Sequence, residues 1–416
     1  MRYLRTFRSS KTFKALLLFF SGTGILYLLL FSPWGNRLLC GVVEQGLSSA
    51  FETPVQVREF SLTHNRFDLL FDDENGNVIS TQGGFSLLTL RLYAHYRIDY
   101  PQKGGINALG IPLKTEGSLN GGISAFDIHG NAKALGGDVL YRIQLHRFKL
   151  ASLYLVLNRI YYEGLLRLLD YPSSTDTVLK GTVDLRGFDT RFVEGFVRLS
   201  TQTDRFVPTE ILSDKDNEPF SLHSLLADQY GQVRAFDVNV ILEASMEHAG
   251  VLEQFVGMHL AGPADLKVIL TGDKKLLALN GRSSIARSDT SFSALIPNLE
   301  PKRLAIDVAH ADVAEVFTLF ALPSPLTGTV DINGNFGIES GKLDVRLNRA
   351  STLPEVLKRE YNITQPPIRF NADLTADLSK TGVRYRGSFA SDLKRLEFAD
   401  SASHDQMLRE LLKTFR

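Results

Sequence analysis

The sequence predicts a mainly β fold: a long, curled antiparallel sheet forming an apolar groove, with a few short amphipathic helices and one N-terminal transmembrane helix. Three observations predict it. Apolar and polar residues alternate with a period of two through much of the chain, glycine-rich turn signals interrupt them, and a charge-free apolar run stands near the N-terminus. The 416 residues are 44% hydrophobic and 22% charged, enough apolar side chain for a sizeable core, and 33 Gly against 15 Pro suits many strands joined by turns. Lys+Arg and Asp+Glu are each 46, a balance that argues against a nucleic-acid partner, which needs a basic excess. The single cysteine excludes an intrachain disulfide framework and a multi-cysteine zinc site.

The first element is the apolar run Ala15 to Phe31, extended by Ser32, Pro33 and Trp34. Arg2, Arg5, Arg8, Lys11 and Lys14 precede it without an acid, so a retained span places the N-terminus in the cytoplasm and the bulk of the chain across the membrane. A cleaved signal peptide and a buried core helix are the competing readings. The apolar core is long for a signal peptide, and no A-x-A-like site follows it. Five segments result: a cytoplasmic basic tail (1–14), a transmembrane anchor (15–34), an N-terminal β region ending in an amphipathic helix (35–170), a repeated helix-strand β region (171–400) and a C-terminal amphipathic helix (401–416).

Asn75-Gly76, Gly83-Gly84, Gly104-Gly105, Asn120-Gly121-Gly122, His129-Gly130-Asn131 and Gly136-Gly137 read as turn signals that punctuate residues 55–150. Over 151–170, Leu153, Leu157, Ile160, Tyr161 and Leu165 follow a helical period, with Arg159, Glu163 and Arg167 opposite. The spacing predicts an amphipathic helix packed on a sheet or on a membrane surface. Further helices are expected near 222–230, 250–257, 312–320 and 403–416. The last is read as a cap on the final strand or as a detachable contact for a partner or the far membrane.

The second half contains repeats. GTVDLRG at 181–187 matches GTVDING at 328–334, and Val251 to Asp273 aligns without a gap on Val313 to Asn335. Each of these aligned windows reads as a short helix, a proline stop, a strand and a glycine turn, a unit that needs a neighbour to stack on. Roughly twenty strands side by side at ~4.8 Å would form a sheet ~90–100 Å long. A few short helices cannot cover one face of it. The sheet must pack face to face as a sandwich, close into a barrel, or curl into a trough whose lining something else covers. Beside a bilayer that cover can be lipid. The residues assigned to the lining are Val183, Leu185, Phe236, Val238, Val240, Leu266, Val268, Leu270, Val330, Ile332, Phe336, Ile338, Ile368, Phe370, Leu374 and Leu378. Aspartate at Ile332 is expected to block a trough while folding survives.

These features resemble the bacterial AsmA-like family, relatives of TamB. The resemblance is carried by the N-terminal anchor, by VFTLFALPSPLTGTVDINGNFG and by LEPKRLAIDVAHADVAEVF at 299–317, and it is sharpest over 250–350. It implies an inner-membrane, single-pass protein with its bulk in the periplasm and a groove-shaped sheet similar to bridge-like lipid transfer proteins. Its expected partners are phospholipid, the inner membrane and an outer-membrane or periplasmic protein. The implied role is moving phospholipid towards the outer membrane or maintaining that membrane. The chain is shorter than the large family members, so a full bridge would require a partner, an oligomer or a partial path. A factor that assembles outer-membrane proteins through exposed strand edges is the alternative.

No catalytic residue, cofactor or metal ligand is expected. The histidines lack zinc spacing, and no phosphate-binding or nucleophile-elbow motif occurs. Asp72-Asp73-Glu74-Asn75-Gly76 reads as a solvated acidic turn rather than a calcium loop, lacking the required ligand spacing. Asn362 lies in the chain's only sequon, Asn362-Ile363-Thr364, for which chance is a better explanation than glycosylation.

Overall fold

Because side chains alternate across a strand, hairpin register decides which of these residues share a face. The computed structural model describes residues 30–402 apart from 87, 102–103, 108–109, 123, 169–175, 206–235, 253–259, 321, 381 and 393. The basic tail, the expected helices at 222–230 and 403–416, most of that at 250–257, and the anchor up to residue 29 lie outside the described residues. Among the described residues, no helix is long and apolar enough to cross a membrane. The protein is mainly β, with twenty strands and few helices among the described residues. It divides into two compact units, Met1–Leu155 and Val156–Arg416.

The first unit opens with helix α1 (Pro33–Phe51), in a stretch that the sequence reading divided between the anchor and the β region. Ser32 caps it by accepting from Gly35 N at 3.0 Å, with Pro33 at its start. A meander follows: β1 (Val55–Leu62), β2 (Arg66–Asp73), β3 (Val78–Ser86), β4 (Arg91–Tyr100), β5 (Leu113–Gly122), β6 (Ala125–Ala134) and β7 (Gly137–His146). Each pairs antiparallel with the next. Helix α1 lies along β1 and satisfies its outer edge. Leu62, Val57 and Val55 donate their N–H groups to Asn36 Oδ1 (3.2 Å), Glu44 Oε2 (3.0 Å) and Ser48 Oγ (3.1 Å). An edge so occupied cannot template another strand.

The amphipathic helix expected over 151–170 is a correction. Residues Lys149–Tyr161 form strand β8, and only Tyr162–Leu168 are helical (α2). Ala151, Leu153, Leu155 and Leu157 also alternate, so both periods were present. The β-branched and aromatic content favours the strand.

In the second unit, β9 (Asp176–Arg186) pairs antiparallel with β10 (Phe192–Arg205). The pair β10–β11 is parallel, which corrects the expectation of antiparallel pairing at this point. The thirty-odd residues joining them meet the length a parallel crossover needs. From β11 (Asp237–Met246) the chain meanders antiparallel through β12 (Ala264–Asp273), β13 (Leu276–Ser283), β14 (Asp289–Pro297) and β15 (Arg303–Asp312). It continues through β16 (Leu326–Gly337), β17 (Ser340–Thr352), β18 (Arg369–Ser379), β19 (Gly382–Ser391) and β20 (Arg395–Ala402). No described pairing returns β7 to β1 or β20 to β9, so neither ladder closes.

Connections differ at the two ends of the second ladder. One end has tight turns. The other carries short helical pieces: α2, 3-10 turns at Ala249–Leu252 and Ile285–Arg287, α3 (Val313–Leu319) and α4 (Pro354–Tyr361). α3 falls where the sequence predicted a helix, with Asp312 accepting from Ala314 N at 2.8 Å. β12 and β16 start at equivalent positions of the aligned repeat, Ala264 and Leu326.

A second repeat lies in the strands that enter these helices. Arg159, His310 and Arg349 have φ of +56°, +57° and +49°, and each precedes a buried residue, Ile160, Ala311 or Ala350. In β15 and β17 this residue sits in a bulge, and its N–H donates to the next strand, to Asp331 Oδ1 and Asn371 Oδ1, both at 2.7 Å. Asn362 is the left-handed C-cap of α4, a position that favours asparagine for conformational reasons alone.

Asp73 is buried rather than solvated. Its Oδ1 accepts from Asn75 N and Asn77 N at 2.9 Å, and its Oδ2 from Asn77 Nδ2 at 2.9 Å and Ile106 N at 2.8 Å. This pins the β4–β5 connection to the β2–β3 turn. Gly105, at φ +61°, packs so closely that a Cβ would collide with Oδ2. Burial raises the Asp73 pKa, but the hydrogen bonds from Asn77, Ile106 and Asn75 outweigh it and hold the carboxyl below its ordinary value of 3.8. A carboxyl depressed in the folded state adds stability above its unfolded pKa and loses it as pH falls through the folded value. Asp73→Ala is expected to cost about 2–4 kcal/mol at pH 7. Urea titrations at several pH values should show the gap from wild type closing as the pH falls below 3.8.

Candidate functional site: an open apolar sheet face

Register carries one apolar face from β9 to β19, and in β20 it continues through Ala402 and Asp400. One row runs Leu185, Gly195, Val240, Leu270, Leu279, Ala294, Leu304, Phe336, Gly341, Leu378 and Val383. The next runs from Val183 through Val197, Leu242, Val268, Gly281, Phe292 and Ile306 to Gly334, Leu343, Ala376 and Tyr385. Leu266, Val330, Ile332, Phe370 and Leu374 share this face, as does Val238. Phe236, Ile338 and Ile368 flank strand ends. Phe236 packs against the buried cluster of Leu277, Ile296 and Leu299, whereas Ile338 is 64% exposed.

The opposite face carries charge. Glu243 lies between Lys267 (2.9 Å) and Arg198 (2.9 Å) on neighbouring strands, and these hydrogen bonds lower its pKa. Asp307, Asn333 and Asp344 align on the same side. Phe196, Ile241 and Ile269 form a small apolar patch there that the sequence reading did not assign.

Full burial on the apolar face is concentrated near its rims. At the helical rim, Tyr162, Leu166, Ala249, Val251 and Leu260 form one buried cluster and Ala311, Val313 and Val330 another. At the tight-turn rim, Leu277, Ile296 and Leu299 form a third. Between the rims the apolar side chains are mostly half-buried, and Leu304, beside the tight-turn rim, is 45% exposed. Among the described residues, the strands in extensive backbone contact are ladder neighbours, and the apolar side chains between the rims keep partial exposure. Ile332 packs against the Ala311 cluster. An aspartate there threatens the fold itself, so the informative position shifts from Ile332 to Leu304.

Glycines flatten the face. A Cβ at Gly281 would collide with the Phe292 ring and one at Gly387 with the Phe398 ring, while Phe336 lies 2.6 Å and 2.7 Å from the Cβ positions of Gly334 and Gly341. These rings lie over cross-strand or same-strand glycines. In the first unit Gly117 and Gly130 pair directly and receive Tyr96 and Tyr141.

Those two tyrosines add a polar spot to the first unit's otherwise apolar face. Thr115 Oγ1 donates to Asn131 O at 3.0 Å, and its contact with Tyr141 Oη (2.6 Å) and that of Tyr141 with Tyr96 (2.6 Å) complete a hydroxyl chain. Burial, then Tyr141, drives the Tyr96 pKa upward, keeping the phenol neutral. The turn signals read at Gly83-Gly84, Asn120-Gly121-Gly122, His129-Gly130-Asn131 and Gly334 are corrected to strand positions, and Gly117, Gly281, Gly341 and Gly387 had no assigned role. Among the described residues, no cluster of His, Cys, Asp and Glu could hold a metal ion.

Gly281→Ala is expected to cost about 1–3 kcal/mol by displacing Phe292, and clearly less in a Phe292→Leu background. Equal costs in both backgrounds, measured by denaturant unfolding, would show that the ring does not occupy the glycine's place. No family model, curated protein or solved structure matches the chain.

Proposed function

We propose that the protein is an AsmA-like, inner-membrane-anchored periplasmic protein that shields phospholipid acyl chains on its apolar sheet face. In this reading it moves them between inner and outer membrane or maintains the integrity of the outer membrane. One observation supports the proposal: an apolar face continuous from β9 to β19 whose side chains between the rims stay half-buried among the described residues. Exposing an acyl chain of about sixteen carbons to water costs ~0.8 kcal/mol per CH₂, about 12 kcal/mol in all. A flat apolar floor removes most of that cost without catalytic residues.

The alternative, an assembly factor that pairs client strands, draws on β20. Among the described residues its outer edge has no registered partner, and Leu396 and Phe398 are 46% and 47% exposed. Phospholipid on a sheet face and a polypeptide on a strand edge are separable by mass.

Native mass spectrometry of the detergent-purified full chain is expected to find bound phospholipid. Leu304→Asp is expected to lower that occupancy severalfold with little change in thermal unfolding, and Asn333→Asp, on the opposite face, to leave it unchanged. A lipid-free wild type, or equal effects of the two variants, would remove the proposal.

A further inference from the structure

Four turns of the first unit stand together at one rim. The N–H of Phe85 donates to Asn65 O at 3.0 Å, joining the β1–β2 and β3–β4 turns. Arg147 N donates to Ser124 O at 2.9 Å, joining β5–β6 to β7–β8. A surface depression lined by Thr89, Leu90, Gly122, Ser124, Arg147 and Phe148 links the two pairs.

The composition of this rim is one-sided. Its turns read Thr63-His64-Asn65-Arg66, Ser86 to Arg91 (SLLTLR), Gly121 to Phe126 (GGISAF) and His146-Arg147-Phe148-Lys149. None contains an acid. Asp127, beside the depression, is held by Arg142. The opposite rim is mixed in charge, with Glu74 and Asp138 beside Lys133.

Large apolar side chains project from the tips. Leu88 is 98% exposed, Phe148 67% and Leu90 56%. Arg147 and Phe148 both have positive φ, at +51° and +62°, where a hairpin turn accommodates Asn-Gly at least cost. Backbone conformation therefore does not explain these side chains.

Phe31, the last residue of the charge-free run, stands at this same rim. The Phe31 ring stacks on Phe85 with centroids 6.4 Å apart, and α1 begins beside the end of β1, where Asn36 accepts from Leu62 N. Trp34, in the first turn of α1, is 65% exposed. A hydrophobic segment leading into a basic, acid-free rim with apolar tips fits one occupant.

We propose that this rim rests on an anionic phospholipid surface. Leu88, Leu90 and Phe148 sit below the headgroups, and Arg66, Arg91, Arg147 and Lys149 lie among the phosphates. The assignment does not require the sheet face to carry lipid.

The test uses the full chain in nanodiscs containing phosphatidylglycerol, in a Cys40→Ser background. Single cysteines from Leu88→Cys, Phe148→Cys and, on the opposite rim, Glu74→Cys carry an environment-sensitive fluorophore. Probes at 88 and 148 are expected to be quenched by doxyl-labelled lipid and shielded from iodide, and the probe at 74 to stay open to iodide. Arg91→Gln and Arg147→Gln are each expected to lower the docked-to-undocked ratio roughly fivefold. Iodide access at 88 and 148 equal to that at 74 overturns the proposal. Shielding without doxyl quenching also overturns it, because a second copy then covers the rim. Docking indifferent to both arginines overturns the anionic assignment.

Discussion

A ladder of alternating strands turns half of its side chains to one side, and in this protein those side chains are apolar from one strand to the next. Something must dry them. Intramolecular cover is confined largely to the rims, where short helices and turns bury Leu166, Ala311 and Leu277 almost completely. The middle is left half-covered by its own neighbours. Glycine spacing and the rings laid over it keep that middle low in relief, so an extended hydrocarbon would meet a floor rather than a row of knobs.

Edges set the second constraint. An unpaired strand edge invites further strands, and the first unit meets this with a helix whose Asn36, Glu44 and Ser48 occupy the N–H groups of β1. Growth of the sheet at that edge is blocked by side-chain chemistry. At β20 no such cover exists among the described residues, which is why edge pairing is retained as the alternative to lipid shielding.

The lining was legible because strand parity is local. Once Val330, Ile332 and Phe336 alternate with Asp331, Asn333 and Asn335, any register that buries one set exposes the other. The same logic failed over 151–161, where leucines satisfied both a helical and a strand period. Helix α1 was hidden because its apolar residues continue those of the preceding run. Asp73 looked like an ordinary acidic turn because the donor that completes its burial, Ile106, lies far along the chain.

The sequence by itself determined the β class, the alternation that separates an apolar from a charged face, the α3 helix and the strand starts of its repeat. These depend on residues within a few positions of one another. Tertiary structure decided the parallel β10–β11 pair, the helix over the β1 edge, the gathering of four acid-free turns at one rim, and the half-buried state of the apolar face between its rims. Each of these joins residues distant in sequence, and local periodicity carries no information about which distant segment supplies a partner.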